Sequence, residues 1–177
     1  MKKTLICVID MQNDFITGTL GTEEAKAIVP KVAKQLDIVY NQRDKFDILF
    51  TLDTHGENYL DTFEGKKLPV AHCIKGTEGW KLPIDLVEYF YDANYIFEKN
   101  TFGAKRFIEC RDFEDKYDKI ILMGLCTDIC VVSNALLLRM LFPEMIIEVI
   151  ADCCAGTTKE NHNSALNTMK SCQIDII

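Results

Sequence analysis

Short, almost continuously apolar runs recur along the chain. Thr4–Ile9, Ile48–Leu52, Tyr95–Phe97, Lys119–Met123, Ile146–Ile150 and Ile174–Ile177 are rich in β-branched and aromatic side chains. Strands with one wet face would alternate; runs without alternation predict parallel strands covered on both faces. Between them the period becomes helical. Val32, Leu36, Val39 and Tyr40 share one face, and Pro30 suits the first position of that helix. Thr127–Met140 predicts a second helix, with Thr127 as its cap and Asp128 in its first turn, where a carboxylate complements the helix dipole. Asn161–Lys170 predicts a third, with Ala165, Leu166 and Met169 inward. The alternation predicts a three-layer α/β/α fold, a doubly wound six-stranded parallel sheet, as one domain over residues 1–177.

One stretch breaks the rhythm. Residues 54–94 carry Gly56, Gly65, Pro69, Gly76, Gly79 and Pro83, with a helix expected near Ile84–Tyr91. So long a turn-rich insertion in a compact domain marks a functional segment.

Composition narrows the classes. The chain has 177 residues, 20 Lys+Arg against 27 Asp+Glu, and a net charge of −7. That balance excludes binding built on nucleic-acid phosphates, which needs a basic stripe. No apolar run reaches the ~18 residues of a membrane span. The opening Met1–Asp10 begins like a signal peptide, but Asp10 ends the apolar run early and no small-residue cleavage site follows. The expectation is a cytoplasmic chain whose first strand begins at once. The eight cysteines form no Cys-x-x-Cys pair and mostly sit in apolar surroundings, which predicts reduced thiols, one of them reactive.

In an open parallel sheet, ligands bind beyond the carboxyl ends of the strands. There the sequence sets Asp10 after the first strand, Asp53 after the second, Lys99 after the third, and Gly124-Leu125-Cys126-Thr127-Asp128-Ile129-Cys130 after the fourth. Any one polar residue at a strand end is ordinary; an acid, an acid, a base and two thiols together suggest chemistry. Cys130 stands in the first turn of its helix, where the helix N-terminus and a nearby ammonium both favour a thiolate. Asp10 is the candidate proton acceptor. In water that transfer opposes a gap of about 4.6 pKa units, about 6 kcal/mol, so the site must raise Asp10 and lower Cys130. Cys126 is the rival nucleophile, although its place before the helix suits its backbone N–H to an oxyanion. The alternative for Cys130 is a buried, inert thiol.

A second cluster lies in and beside the insertion: Asp53, His55, Glu64 and His72. Asp-x-His at a strand end points both side chains to one face. With His72 the set suits one divalent ion, Zn, Fe or Mn rather than Ca, and Glu64 is a possible further ligand. His162, the third histidine, reads as structural.

Taken together, Ile9-Asp10-Met11-Gln12-Asn13-Asp14-Phe15, Thr51-Leu52-Asp53-Thr54-His55, Leu68-Pro69-Val70-Ala71-His72-Cys73 with Gly76-Thr77-Glu78-Gly79, Glu98-Lys99-Asn100-Thr101-Phe102-Gly103 and the stretch from Gly124 to Val131 resemble the isochorismatase-like cysteine hydrolases, and within them the nicotinamidases. These stretches span nearly the whole chain in family order. The resemblance implies a catalytic triad of Asp10, Lys99 and Cys130, and a metal, most often zinc, on Asp53, His55 and His72 with Glu64 as a fourth ligand. It implies a cis peptide between Leu125 and Cys126, with the N–H groups of Cys126 and Cys130 as oxyanion donors. It also implies that the first and fourth strands are adjacent at the sheet centre, and that the protein is a homo-oligomer. The implied reaction is hydrolysis of a small amide, nicotinamide first, through a thioester, as in NAD salvage. Phe15 and Trp80 are candidate ring walls, with ordinary core aromatics as the alternative. Isochorismatases lack the cysteine, and related carbamoyl-amide hydrolases usually lack the metal set; this chain has both. Hydrolysis of another small amide and a non-catalytic regulatory role are the competing readings. A dinucleotide-binding module would need G-x-G-x-x-G after the first strand, where Asp10-Met11-Gln12-Asn13-Asp14 stands instead.

Overall fold

A computed structural model describes residues 2–177. Its six strands are β1 (Lys3–Ile9), β2 (Phe46–Asp53), β3 (Tyr95–Lys99), β4 (Tyr117–Leu125), β5 (Ile146–Ala155) and β6 (Asp175–Ile176). They form one parallel sheet in the order β3-β2-β1-β4-β5-β6, so β1 and β4 are adjacent at its centre as expected. The helices are α1 (Asn13–Ile16), α2 (Glu23–Tyr40), α3 (Phe63–Lys67), α4 (Val87–Tyr91), α5 (Phe113–Lys116), α6 (Val132–Leu141) and α7 (Lys159–Ser171). The connection through α2 runs from β1 toward β3 and those through α6 and α7 run from β4 toward β6, so crossovers of the usual right hand place α2 on one face of the sheet and α6 and α7 on the other. The central strands are buried on both faces: Leu5, Cys7, Val8 and Ile9 of β1 and Ile120, Leu122 and Met123 of β4 are shielded from solvent. This is the physical reason for their unbroken apolar runs.

Three local expectations are corrected. Pro30 does not begin its helix: α2 starts at Glu23, where Thr22 accepts a hydrogen bond from the Ala25 N–H, and Pro30 lies inside it. The capped, acidic first turn and the buried face of Ala25, Ile28 and Val29 outweigh the proline, which sits on the exposed side where water reaches the freed carbonyl. Thr127 does not cap a long helix. Thr127–Val131 form a wide π-helical turn without a side-chain cap, and α6 begins only at Val132. The insertion holds more helix than Ile84–Tyr91, because α3 forms where Thr62 caps the Gly65 N–H. A side chain at Gly65 would come within 2.1 Å of the Tyr59 carbonyl oxygen.

Register positions the strand ends. Ile9 lies opposite both Thr51 and Gly124, and Asp53 lies opposite Lys99. Gly124 has φ +127°, and a Cβ there would approach the Ile9 carbonyl oxygen to 2.2 Å, so only glycine lets β4 lie this close. The residues after β1 then fasten the insertion. Asn13 N–H donates to Lys81 O and its side chain to Glu78 O, while Asp14 Oδ2 accepts from the Cys73 N–H at 2.7 Å.

Candidate active site

Asp10, Lys99 and Cys130 converge as the resemblance implies. Lys99 Nζ lies 2.6 Å from Asp10 Oδ2, 3.4 Å from Cys130 Sγ and 3.5 Å from Asp53 Oδ1. The ammonium meets Asp10 Oδ2 as an ion pair, off the hydrogen-bonding direction. The other carboxylate oxygen accepts from the Thr51 hydroxyl at 2.6 Å. Asp10 itself has φ +46°, in the left-handed region that a short polar residue tolerates best. All three members are buried.

Burial is the largest influence on each of these groups. It raises Asp10, with Lys99 opposing and Asp53 adding to the rise. It raises Cys130 as well, against the lowering expected from the helix turn and Lys99: Asp10 adds to the rise, and Lys99 opposes it without reversing it. For Lys99 burial favours the neutral form, but Asp10, Cys130 and Asp53 outweigh it and keep the ammonium charged. A single buried cation therefore faces both the acid and the thiol. Cys126 lacks so close an ammonium, and burial, with Asp128 second, pushes its thiol up to about 12. The peptide between Leu125 and Cys126 is cis.

Cys126 and Cys130 open onto a cavity of about 440 Å³, walled by Phe15, Leu20, Leu68, Phe102, Leu125 and Ile129. Asp53, Glu64 and His72 line the same space, and Asp10 and Lys99 lie behind it. Phe15 is thus a wall, 5.5 Å from the His72 ring. Trp80 is not part of this lining. Its indole N–H donates to Thr54 Oγ1 at 2.9 Å and its carbonyl accepts from Gln12, which ties the insertion to the end of β2. Phe102 is a wall that the residue-by-residue reading missed. Its loop is held by Asn134, whose side chain donates to Phe102 O and to Cys130 O and accepts from the Ala104 N–H. The signal was present in Thr101-Phe102-Gly103 but had no pattern to assign it a direction.

Asp53, His55 and His72 bring their ligand atoms within 4.8 Å of one another. Asp53 Oδ2 is 3.0 Å from His55 Nε2 and 3.4 Å from His72 Nε2. An ion bonded at about 2.0–2.1 Å sets neighbouring donors about 3.0–3.4 Å apart, so the spacing fits a divalent metal. His72 supplies a second test. Its Nδ1 must donate to the Val70 carbonyl, 2.8 Å away, which leaves the Nε2 lone pair facing a carboxylate oxygen. Two electron-rich atoms so placed require a proton or a cation between them. Burial raises Asp53, yet the two histidines and Lys99 overcome it and hold the carboxyl well below the usual range. Glu64 Oε1 is farther off, 3.7 Å from His72 and 3.9 Å from His55. Tyr59 fixes both rings edge-on at 4.8 and 4.9 Å between centroids.

A buried thiol, acid and ammonium thus stand together at the strand ends of a doubly wound sheet, beside three side chains spaced for a metal ion. The chain belongs to the isochorismatase family, whose domain matches residues 4–177. It is similar to the nicotinamidase of Schizosaccharomyces pombe, at 24% identity over 97% of this chain and 91% of that protein. The structure of the nicotinamidase PncA of Bacillus subtilis superposes with a TM-score of 0.83 and 29% identity, covering 99% of each chain. The pyrazinamidase of Pyrococcus horikoshii, solved in complex with zinc, has the same fold, with a TM-score of 0.81 and 24% identity over 99% of this chain and 98% of that one. The protein is therefore an amidohydrolase on the isochorismatase fold. Among the described residues no helix is long and apolar enough to cross a membrane.

Proposed function

We propose that this protein hydrolyses nicotinamide to nicotinate and ammonia through a thioester on Cys130. The observation that carries the reading is Lys99 Nζ, 2.6 Å from Asp10 and 3.4 Å from Cys130 Sγ, behind a cavity that Asp53 and His72 also line. Asp10 takes the thiol proton. The sulfur attacks the carboxamide carbon, a C–S bond forms, and the carbonyl electron pair moves to oxygen. The N–H groups of Cys126 and Cys130 hold that oxyanion. Asp10 returns its proton to nitrogen as the C–N bond breaks and ammonia leaves. It then deprotonates a water that attacks the thioester, releasing nicotinate and the sulfur. Lys99 makes the proton transfer feasible: because it faces both groups, the negative charge keeps its partner whichever of the two holds it.

Asp53, His55 and His72 would hold one divalent ion, with Glu64 bound directly or through water. Two imidazoles and a carboxylate favour zinc, and the same donors accept iron or manganese. The ion would supply a Lewis-acid anchor for the pyridine nitrogen. Phe15 and Phe102 confine the ring, so that the amide carbon meets Cys130. With this reading go a cytoplasmic place, a part in NAD salvage and a homo-oligomeric state.

The test is ammonia release from nicotinamide by the wild-type protein and by Cys130→Ala, with rapid-quench mass spectrometry for a nicotinoyl adduct on Cys130. Ammonia from a different small amide alone would change the substrate and leave the cysteine chemistry. No turnover of any small amide by the metal-loaded protein would favour the non-catalytic role.

A further inference from the structure

The turn that carries Cys130 has no cap of its own, and two of its side chains reach across to the segment after β5. Asp128 accepts from the Thr157 N–H at 2.8 Å and from the Thr157 hydroxyl at 2.6 Å. Thr127 Oγ1 meets His162 Nδ1 at 2.8 Å. Gly156 makes this approach possible, because a Cβ there would lie 2.8 Å from Asp128 Oδ1 and 2.9 Å from both the His162 Cβ and its backbone nitrogen. Thr127 is fully buried, whereas His162 is only partly so and forms part of the wall of a separate cavity of about 210 Å³.

The direction of the Thr127–His162 bond depends on the imidazole. With His162 neutral and its proton on Nε2, the threonine hydroxyl donates to Nδ1 and its one proton is satisfied. With His162 protonated, Nδ1–H must donate to Thr127 Oγ1 instead, and the buried hydroxyl proton turns away to where no other side-chain bond of Thr127 awaits it, which is costly.

We infer that His162 is a positioning residue: acting through Thr127, its neutral imidazole holds the Cys126–Cys130 turn in the geometry that stabilises the oxyanion, and its protonation loosens that turn. The inference rests on the cysteine-thioester reading above. The charged groups around His162 are Asp128 from the turn, Asp152 from β5, Glu24 and Lys31 from α2, and Lys159 from its own helix. Burial is the largest influence and keeps the ring neutral, against Asp128 and Asp152.

The experiment compares His162→Leu, which removes the acceptor, with His162→Asn, whose side-chain oxygen can occupy the Nδ1 position without titrating. Each is assayed on nicotinamide as the metal-loaded protein from pH 5 to 8. We expect His162→Leu to lower kcat at least 10-fold with KM within twofold. His162→Asn should rescue most of that loss and move the acid-side decline to lower pH. A kcat for His162→Leu within twofold of wild type, or an acid limb unchanged in His162→Asn, overturns the inference. Should His162→Leu fail to fold, the acid limb of His162→Asn alone decides. Should wild type release no ammonia, the thioester reading fails separately, and amide hydrogen exchange across Thr127–Val131 decides. Faster exchange in His162→Leu, and in wild type at low pH but not in His162→Asn, supports the inference; equal exchange refutes it.

Discussion

Gln12 clasps Asp53 with both ends of its amide: the Asp53 N–H donates to Gln12 Oε1 at 2.7 Å, and Gln12 Nε2 donates to the Asp53 carbonyl at 2.9 Å. Asp53 stands where three groups of the site meet, since its carboxylate touches His55, His72 and Lys99. The clasp therefore locks the loop after β1, which carries Asp10, to the end of β2.

Gln12→Ala removes both bonds, together with the one to the Trp80 carbonyl, and leaves the buried Asp53 N–H without its partner. A loss of about 1–3 kcal/mol is expected, measured by urea unfolding. Metal affinity should weaken as well, because Asp53 is freed to shift. Unchanged stability together with unchanged affinity would show that the clasp is incidental.

Cys130→Ala should abolish ammonia release while changing stability by no more than about 1 kcal/mol, since it removes one buried atom. Cys126→Ala should retain turnover, because its contribution is a backbone N–H. The reverse pattern in steady-state assays would make Cys126 the nucleophile.

Lys99→Met separates charge from shape. It leaves Asp10 and Asp53 buried without their cation, and breaking such a pair costs about 3–5 kcal/mol. Turnover should fall by about 100-fold or more, and Asp10 should become harder to ionise. Wild-type kcat in a folded Lys99→Met protein would remove Lys99 from the chemistry.

The metal prediction follows from supply and spacing. Elemental analysis should find one divalent ion per chain after purification with added zinc. At a free metal concentration 100 times the Kd, the ion should stabilise the fold by about 2.7 kcal/mol. His72→Ala should raise KM for nicotinamide and lower kcat, since an unanchored ring presents its amide carbon poorly. A fully active metal-free protein would remove the ion from the mechanism.

The pH dependence separates the metal-free and metal-loaded proteins. Burial alone would lower His72, but Asp53, the Val70 carbonyl and Glu64 outweigh it and raise its pKa above the ordinary histidine value. The folded metal-free protein then binds the proton more tightly than the unfolded chain. That contribution to stability is complete below about pH 6.5 and is lost as pH rises through the folded value. With metal the sign reverses, because the proton competes for Nε2 and affinity falls as pH drops. Thermal melts from pH 5 to 8, each taken as the difference from His72→Ala so that the opposing contribution of His162 cancels, should show opposite slopes for the two forms.

The β-α alternation and the unbroken apolar runs determined the fold, because strands buried on both faces tolerate few polar residues. Spacing alone placed Asp10, Asp53, Lys99 and Cys130 at one sheet edge, since a parallel sheet sets all its carboxyl ends on the same side. The candidate metal set was legible for the same reason: Asp53 and His55 stand at a strand end, and His72 in the segment that folds over it. Tertiary packing decided the rest. Pro30 lies inside α2 because a buried face and a cap upstream outweigh one missing hydrogen bond. Trp80 faces Thr54 and Phe102 faces the cavity, although the sequence marks both simply as aromatic. Thr127 bonds His162 instead of capping its own turn, a choice fixed by how closely Gly156 lets α7 approach. Local pattern records which face a residue needs; the partner it meets there depends on segments far away in the chain, and only their packing selects it.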